Sequence, residues 1–178
     1  MNDQKTSIKM SYILRHDESS FRFMDSEGFI DVDIILQMLN VSMYDLDKIV
    51  HEDKKQRYSY TSKKDKIRAN QGHSLPVSIS FKSLDTALKL YHGTTVNSMS
   101  CISHEGIKAQ SRQYVHLTSI RSVAENVARR HGRQISICEI QVDKMMEDGY
   151  DFYISDNGVY LTKCVPSKYI RILEGLYE

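Results

Sequence analysis

Residues 57–69 have the sequence RYSYTSKKDKIRA, which is the clearest local fold signal in the chain. The first five of these residues alternate with the period of two that is typical of a β-strand, and residues 67–69 can return as its partner. The charged residues 62–66 between them favour a turn. We therefore predict a two-stranded hairpin.

Helical patterns precede this hairpin. Gly28 permits a turn, after which Asp31 or Asp33 can cap one helix and Ser42 the next. The apolar positions with helical spacing are Ile8, Tyr12 and Ile13, then Ile34, Ile35, Met38 and Leu39, then Leu46, Ile49 and Val50. Three short helices and a two-stranded wing predict a winged-helix-like lobe over residues 1–82.

The pattern changes in the second half, where short β-rich runs alternate with short helical runs. Helices are expected over residues 96–104 and 120–130, among several strands. Pro76 and several serines mark a seam between the two halves. We predict an α+β protein whose second lobe, residues 83–178, is mixed α/β with a substantial sheet.

Composition limits the classes of protein to consider. A chain of 178 residues that is 40% apolar can form one domain or two small ones with a real core. The widely spaced Cys101, Cys138 and Cys164 predict neither a disulfide framework nor a metal clamp, which favours a reducing cytoplasm. The absence of a long apolar run predicts no signal peptide and no membrane span.

Positive charge is local, because the net charge is only +1. Residues 54–68 hold seven Lys or Arg against the single acidic Asp65. We expect a polyanion, if one binds, to meet this stretch.

Common nucleotide-binding, hydrolase and zinc motifs do not occur in the sequence. Arg and His beside small residues remain, which suits the binding of phosphate oxygens. Arg15 and His16 could form such a group or could be solvated cations at a helix C-terminus. Residues 67–74, IRANQGHS, could contact a phosphate or a base, or could be a turn in which Asn70 and Gly72 supply left-handed geometry.

The second half offers a further group. His92, Gly93 and Thr94 follow a predicted strand and precede a helix, which is a favourable setting for an anion. His116 lies within another predicted strand, and two histidines on neighbouring strands suggest a cleft. Residues 155–159 contain an Asn-Gly pair that is typical of a hairpin turn.

Eight short blocks, read in order, closely resemble the NAD-dependent RNA 2′-phosphotransferase family. The blocks are residues 14–16 (LRH), 25–29 (DSEGF), 53–58 (DKKQRY), 67–74 (IRANQGHS), 90–94 (LYHGT), 115–117 (VHL), 130–132 (RHG) and 157–159 (NGV). Tyr114, Phe29 and Tyr160 depart from residues that are frequent in this family.

The resemblance implies a winged-helix lobe followed by an ADP-ribosyltransferase-like lobe. It also implies removal of an internal 2′-phosphate from RNA, as at a tRNA splice junction. The phosphate attacks the anomeric carbon of the nicotinamide ribose of NAD, and nicotinamide leaves. The neighbouring ribose hydroxyl then attacks phosphorus, which releases 2′-OH RNA and ADP-ribose 1″,2″-cyclic phosphate.

Site residues follow from the same resemblance. The family's catalytic set maps onto Arg15, His16, Arg68 and Arg130, of which only histidine exchanges a proton near neutral pH. The positions implied to line the NAD site are His92, Gly93, Thr94, His116, Asn157 and Val159. The positions expected to face RNA are Lys54, Lys55, Arg57, Gln71 and His73.

Two alternatives stay open at this level. The same groups could ADP-ribosylate a terminal phosphate of RNA or DNA and stop there. The chain could also be a non-catalytic winged-helix protein that binds nucleic acid. We expect a cytoplasmic monomer that uses NAD as co-substrate and needs no metal ion.

Overall fold

The computed structural model describes residues 3–176 of the chain. It is an α+β structure that divides after Ser80 into two units, each with its own hydrophobic core. This division falls two residues before the boundary that the sequence predicts, so Phe81 and Lys82 belong to the second unit. The outermost parts of the two predicted lobes, residues 1–2 and 177–178, lie outside the described residues.

The first unit combines four helices with a small antiparallel sheet. Its elements are α1 (Asp3–Ile13), α2 (Glu18–Phe21), β1 (Ile30–Asp31), α3 (Val32–Leu39), α4 (Met43–Glu52), β2 (Tyr58–Tyr60) and β3 (Lys66–Ala69). The predicted hairpin is confirmed, with Tyr58 opposite Ala69 and Tyr60 opposite Ile67. Strand β1, which the sequence analysis did not predict, pairs with the other side of β3.

The N-terminal cap of α4 agrees with the sequence-based prediction, and that of α3 agrees with it only in part. Ser42 and Asp45 form a capping box at the start of α4, as Ser42 predicts. Asp31 occupies the N-cap of α3, one of the two positions expected, but its side chain makes no capping hydrogen bond. The main-chain N–H of Val32 instead donates to the oxygen of Asp65 over 2.8 Å. The hairpin turn therefore supplies an acceptor to the start of this helix.

The buried face of α1 also differs from the prediction. Ile8 and Tyr12 are exposed by 64% and 56%, whereas Met10 and Leu14 are fully buried and Ile13 nearly so. Positions 10, 13 and 14 are spaced by three and four residues, so they form one face of the helix. That face packs into the core of the first unit together with residues from α3, α4 and β3.

The second unit is built from three antiparallel sheets and three helices within its described residues. Its strands are β4 (Lys82–Ser83), β5 (Leu90–Thr95), β6 (Ile107–Lys108), β7 (Val115–Leu117), β8 (Ile135–Ile140), β9 (Tyr153–Ile154), β10 (Tyr160–Thr162), β11 (Cys164–Val165) and β12 (Ile170–Leu176). Its helices are α5 (Met99–Glu105), α6 (Arg121–Ala128) and α7 (Val142–Glu147). The strand orders are β12-β8-β5, β4-β9-β10-β7 and β11-β6.

Helix α6 lies against β5 at Gly93. A Cβ atom at Gly93 would lie 1.9 Å from the main-chain oxygen of Ala124, which is far inside contact distance. Only glycine permits this approach of helix to strand. The approach fixes the strand that carries His92, one residue before Gly93.

No helix within residues 3–176 is long and apolar enough to cross a membrane. The three cysteines are free thiols, with Cys101 exposed and Cys138 buried.

Candidate active site

Arg15 lies in the turn that follows α1, and its side chain is held from two directions. Its Nε donates to the main-chain oxygen of Gln71 over 2.7 Å, and a terminal nitrogen donates to the hydroxyl of Ser11. The guanidinium carbon lies 5.9 Å from the centre of the Tyr58 ring. Arg15 is only 9% exposed, so it is not a solvated cation at a helix end.

His16, the next residue, contacts the same loop that holds Arg15. Its Nδ1 lies 3.0 Å from the hydroxyl oxygen of Ser74. The main-chain N–H groups of Ser74 and Leu75 donate to the oxygen of Arg15 over 3.0 and 3.3 Å. The loop from residue 70 to residue 75 is therefore fastened to the end of the first helix by main-chain and side-chain bonds.

Arg68 is presented by the central strand β3 of the first unit. Its side chain is 11% exposed, and its guanidinium carbon lies 4.6 Å from the centre of the Phe29 ring. Glu27 Oε1 lies 4.0 Å from the Arg68 guanidinium. Asp25 Oδ1 accepts from the N–H groups of Glu27 and Phe29, so the DSEGF block forms a turn that places an aromatic ring against Arg68.

His73 is the residue on which these cations converge. It is 3% exposed, and burial, with the charges of Arg15, His16 and Arg68 in addition, lowers its pKa from 6.5 to about 3. The ring is thus neutral beside three cationic or ionisable side chains. Such burial is at odds with the expected contact between His73 and an RNA backbone, because the ring is closed off from solvent. A concentration of positive charge next to a neutral buried group suits an incoming anion.

Asn70 and Gly72 have the structural role that the turn interpretation predicts. Asn70 is 3% exposed, and its side-chain nitrogen donates to the main-chain oxygen of Gln56 over 2.7 Å. Gly72 has a φ of +91°, which favours glycine. The turn interpretation therefore holds for Asn70 and Gly72, whereas contact of this segment with a phosphate or a base stays a prediction.

The basic stretch before the hairpin is less positive than its sequence indicates. Lys54 and Lys55 are exposed, but Arg57 forms an ion pair with Asp53. Lys64 and Lys66 lie 3.3 and 3.4 Å from the carboxylates of Asp47 and Asp25. The acidic partners lie on other elements, which a count along residues 54–68 does not include.

His92 on β5 has a defined tautomer. Its Nδ1 lies 3.2 Å from the main-chain oxygen of His116. Because a carbonyl oxygen only accepts, Nδ1 carries the hydrogen and Nε2 of the neutral ring is an acceptor. Burial lowers the pKa of His92, and the charge of His131 adds to this, while the bond to His116 opposes it. His131 was not among the predicted site residues, although its place beside Arg130 in the RHG block was a usable signal.

In His116 on β7, the donor and acceptor roles of the two ring nitrogens are the reverse of those in His92. Its Nδ1 lies 3.4 Å from a guanidinium nitrogen of Arg112. A guanidinium only donates, so Nδ1 of His116 accepts and Nε2 of the neutral ring bears the hydrogen. The second unit thus presents one imidazole acceptor and one imidazole donor. Arg112, which orients His116, was missed because no pattern in the sequence connects the two.

The turn from residue 155 to residue 159 joins β9 and β10, as the Asn-Gly pair predicts. The buried Ser155 hydroxyl lies 2.8 Å from the side-chain oxygen of Asn157 and accepts from the N–H of Val159 over 3.0 Å. Gly158 has a φ of +74°. Ser155, which was not predicted as a site residue, therefore fixes the turn that carries Asn157 and Val159, two of the expected NAD-site residues.

Other predicted positions have simpler surroundings. Gly93 is required by the packing of α6, and this explains its presence without a contact to a cofactor. Thr94 is half-buried opposite Ser136 of β8. Arg130 is exposed and follows the end of α6 in the second unit, whereas Arg15, His16 and Arg68 belong to the first.

Residues 3–176 contain no group of three or more His, Cys, Asp or Glu side chains that could hold a metal ion.

Comparison with known proteins identifies the family. The model of the family described as RNA 2′-phosphotransferase, Tpt1/KptA, matches residues 1–164. A protein of Fusobacterium nucleatum is 39% identical over 176 residues, covering 96% of this chain and 98% of the relative. A relative from Agrobacterium fabrum is 36% identical over 94% of this chain and 92% of its own length. A relative from Flavobacterium johnsoniae is also 36% identical, over 91% of this chain and 92% of its own length.

All three relatives carry the name "Probable RNA 2′-phosphotransferase". The match covers both units and every block quoted from the sequence, so the chain belongs to the RNA 2′-phosphotransferase family, Tpt1/KptA.

Proposed function

We propose that this chain is an RNA 2′-phosphotransferase that removes an internal 2′-phosphate from RNA by transferring it to NAD. Membership of the family supports the reaction class. The observation that carries the proposal is that Arg15 and His16 are hydrogen-bonded to residues 71–74 of the loop that follows β3, the strand that carries Arg68. A phosphate dianion fits this group by charge and by its need for several hydrogen-bond donors.

The proposed reaction has two steps. An oxygen of the RNA 2′-phosphate forms a bond to C1″ of the nicotinamide ribose, and nicotinamide leaves with the electron pair of its bond. The neighbouring O2″ then bonds to phosphorus and gives up its proton, while the RNA 2′-oxygen leaves and gains a proton. The products are 2′-OH RNA and ADP-ribose 1″,2″-cyclic phosphate.

The first unit supports the assignment of roles in these steps. A phosphate dianion is already nucleophilic, so orientation and charge stabilisation matter more than a general base in the first step. Arg15 and Arg68 are held in place before substrate binds, by Gln71 and by the Phe29 ring. Fixed donors need little rearrangement to stabilise a transition state. His16 is assigned to proton handling in the second step, and Arg130 joins the set on the strength of the resemblance.

The second unit carries groups that suit NAD. The acceptor Nε2 of His92 can receive a hydrogen bond from a ribose hydroxyl, and the donor Nε2–H of His116 can give one to an amide or ribose oxygen. The turn held by Ser155 presents Asn157 and Val159 for contact with the dinucleotide. We assign these residues to the co-substrate.

Within the α+β class, we also propose a more specific fold for each unit. The longer helices α1, α3 and α4 and an antiparallel sheet support a winged-helix-like assignment for the first unit, and its exposed Lys54 and Lys55 would face RNA. The antiparallel sheets with α6 support an ADP-ribosyltransferase-like assignment for the second. A tRNA splice-junction substrate and a monomeric enzyme complete the proposal, and size-exclusion chromatography with light scattering tests the latter.

One assay tests the reaction. The protein is incubated with NAD, EDTA and a short RNA that bears one internal 2′-phosphate, and all products are followed by mass. The expected products are nicotinamide, 2′-OH RNA and the cyclic phosphate. ADP-ribosylated RNA alone would indicate a transferase that stops after the first step. Untouched NAD would contradict the proposal and favour a binding protein.

A further inference from the structure

Ser74 contacts the turn after α1 through three hydrogen-bonding pairs. Its N–H donates to the oxygen of Arg15 over 3.0 Å. Its hydroxyl oxygen lies 3.3 Å from that same oxygen and 3.0 Å from Nδ1 of His16. One serine therefore touches both residues of the Arg15-His16 pair, although 58 positions separate it from His16.

The single hydroxyl hydrogen decides the direction of these bonds. We assign the hydroxyl hydrogen of Ser74 to the pair with the oxygen of Arg15, which can only accept. The lone pairs of the hydroxyl oxygen then face Nδ1 of His16, which must donate. In the reverse arrangement the hydroxyl donates to Nδ1 of His16 in its Nε2–H tautomer, and the oxygen of Arg15 keeps the hydrogen bonds from the N–H groups of Ser74 and Leu75.

We propose that Ser74 is a positioning residue that holds His16 in the Nδ1–H tautomer, so that Nε2 is the nitrogen that exchanges the proton with the substrate. This inference rests on the proposed role of His16 in the second step. Ser74 contacts neither phosphate nor NAD in the proposal and acts through the ring of His16. The Nδ1–H donor remains in the imidazolium form as well, so the same bond holds the ring before and after proton transfer.

The groups around His16 are a reason for its ring to be held in one orientation. His16 adjoins Arg15 in sequence, and both of them, with Arg68, act on the buried ring of His73. A ring that rotated freely among these groups could present either nitrogen to the reacting atoms. The ring of Tyr12, near the end of α1, lies 6.2 Å from that of His16. The hydrogen bond that His16 donates to the hydroxyl oxygen of Ser74 selects one orientation of the ring.

The tautomer can be observed directly in the full chain. Long-range ¹H–¹⁵N NMR of protein labelled with ¹⁵N-histidine reports which ring nitrogen bears the hydrogen, and a His16→Gln variant assigns the signal. His104 is an internal reference, because its Nδ1 lies 2.8 Å from the oxygen of Ser100 and must therefore carry the hydrogen. The neutral ring of His16 is expected to show the same Nδ1–H pattern. An Nε2–H pattern in the wild type would overturn the proposal.

Two variants separate positioning from structure. Ser74→Ala removes the hydroxyl and is expected to give a mixture of His16 tautomers, whereas Ser74→Thr keeps the hydroxyl and the wild-type pattern. In single-turnover assays, Ser74→Ala is expected to slow the second step about tenfold and the first step less than threefold. An unchanged tautomer in Ser74→Ala, or equal slowing in Ser74→Ala and Ser74→Thr, would overturn the role of Ser74. The NMR result does not depend on turnover, so it still stands if the proposed reaction fails.

Discussion

Arg15 donates from its Nε to the main-chain oxygen of Gln71 over 2.7 Å, which joins two residues that are 56 positions apart. The acceptor is a backbone atom, so the Gln71 side chain is not needed to hold Arg15. The two sequence-predicted roles, phosphate binding by Arg15 and RNA contact by Gln71, can therefore be tested separately.

Replacement of Arg15 by Lys is expected to lower kcat at least about tenfold. Lysine lacks the planar fork that can bond the Gln71 oxygen and a phosphate at once. Gln71→Ala is the matched control, because it leaves the main-chain oxygen in place. We expect Gln71→Ala to raise KM for RNA and to keep kcat within about threefold. Equal losses of kcat in the two variants would contradict the separation of roles.

Arg68→Gln and Arg130→Gln are each expected to reduce turnover by about a hundredfold or more while the protein stays folded. Glutamine keeps a stem to pack against Phe29 in the first variant, so the loss is mainly one of charge. Arg133→Gln, an exposed neighbour of Arg130, is the control and is expected to keep wild-type activity. Steady-state rates and circular dichroism provide the comparison. Wild-type rates in both test variants would remove them from the catalytic set.

His16→Ala is expected to slow the second step more than the first, because the first step uses a nucleophile that is already ionised. The ADP-ribosylated RNA intermediate should accumulate in quenched time courses, visible as a heavier RNA by mass. His51→Ala, an exposed histidine elsewhere in the first unit, serves as the control. A time course without intermediate in His16→Ala would exclude the proton-handling role.

Stability is expected to fall as the pH decreases from about 6.5 towards 3, in part because of His73. Its pKa is lowered from 6.5 to about 3 on folding, so the unfolded chain binds a proton in this range while the folded chain does not. Stability therefore rises with pH across this window, and at pH 5 the contribution of His73 is about 2 kcal/mol unfavourable to folding.

Urea unfolding of the wild type and His73→Gln at pH 5, 6.5 and 8 measures this effect. The variant is expected to lose less stability than the wild type between pH 8 and pH 5, whatever its stability at pH 8. The lowered pKa of His92 acts in the same direction but is present in both proteins, so it cancels in the comparison. Identical pH dependence in the two proteins would contradict the buried, neutral state of His73.

Gly93→Ala is expected to destabilise the protein by about 3 kcal/mol or more, because its Cβ would overlap the main-chain oxygen of Ala124. Gly149→Ala is the control. Gly149 has a φ of +85° but no atom within 4 Å of the added Cβ, so only backbone strain of about 1 kcal/mol is expected. Thermal unfolding checks both values, and equal losses would argue that the contact with α6 is softer than the structure indicates.

Local patterns were sufficient for several elements. The hairpin over residues 57–69, the cap at Ser42 and the turn around Gly158 depend on residues that are close in sequence, and all three are confirmed. Periodicity alone was not sufficient for α1, where Ile8 and Tyr12 have helical spacing but lie on the exposed face. The sequence of a short helix does not show which of its apolar residues the rest of the chain will bury.

The sequence by itself determined the family, the α+β class and which side chains are candidates for chemistry, because these depend on residue types at short spacing. Only the tertiary structure decided the state of those side chains. The tautomer of His92 depends on the oxygen of His116, and the low pKa of His73 depends first on burial and then on the charges of Arg15, His16 and Arg68. Burial and hydrogen-bond direction arise from contacts between distant segments, and for that reason no local pattern could predict them.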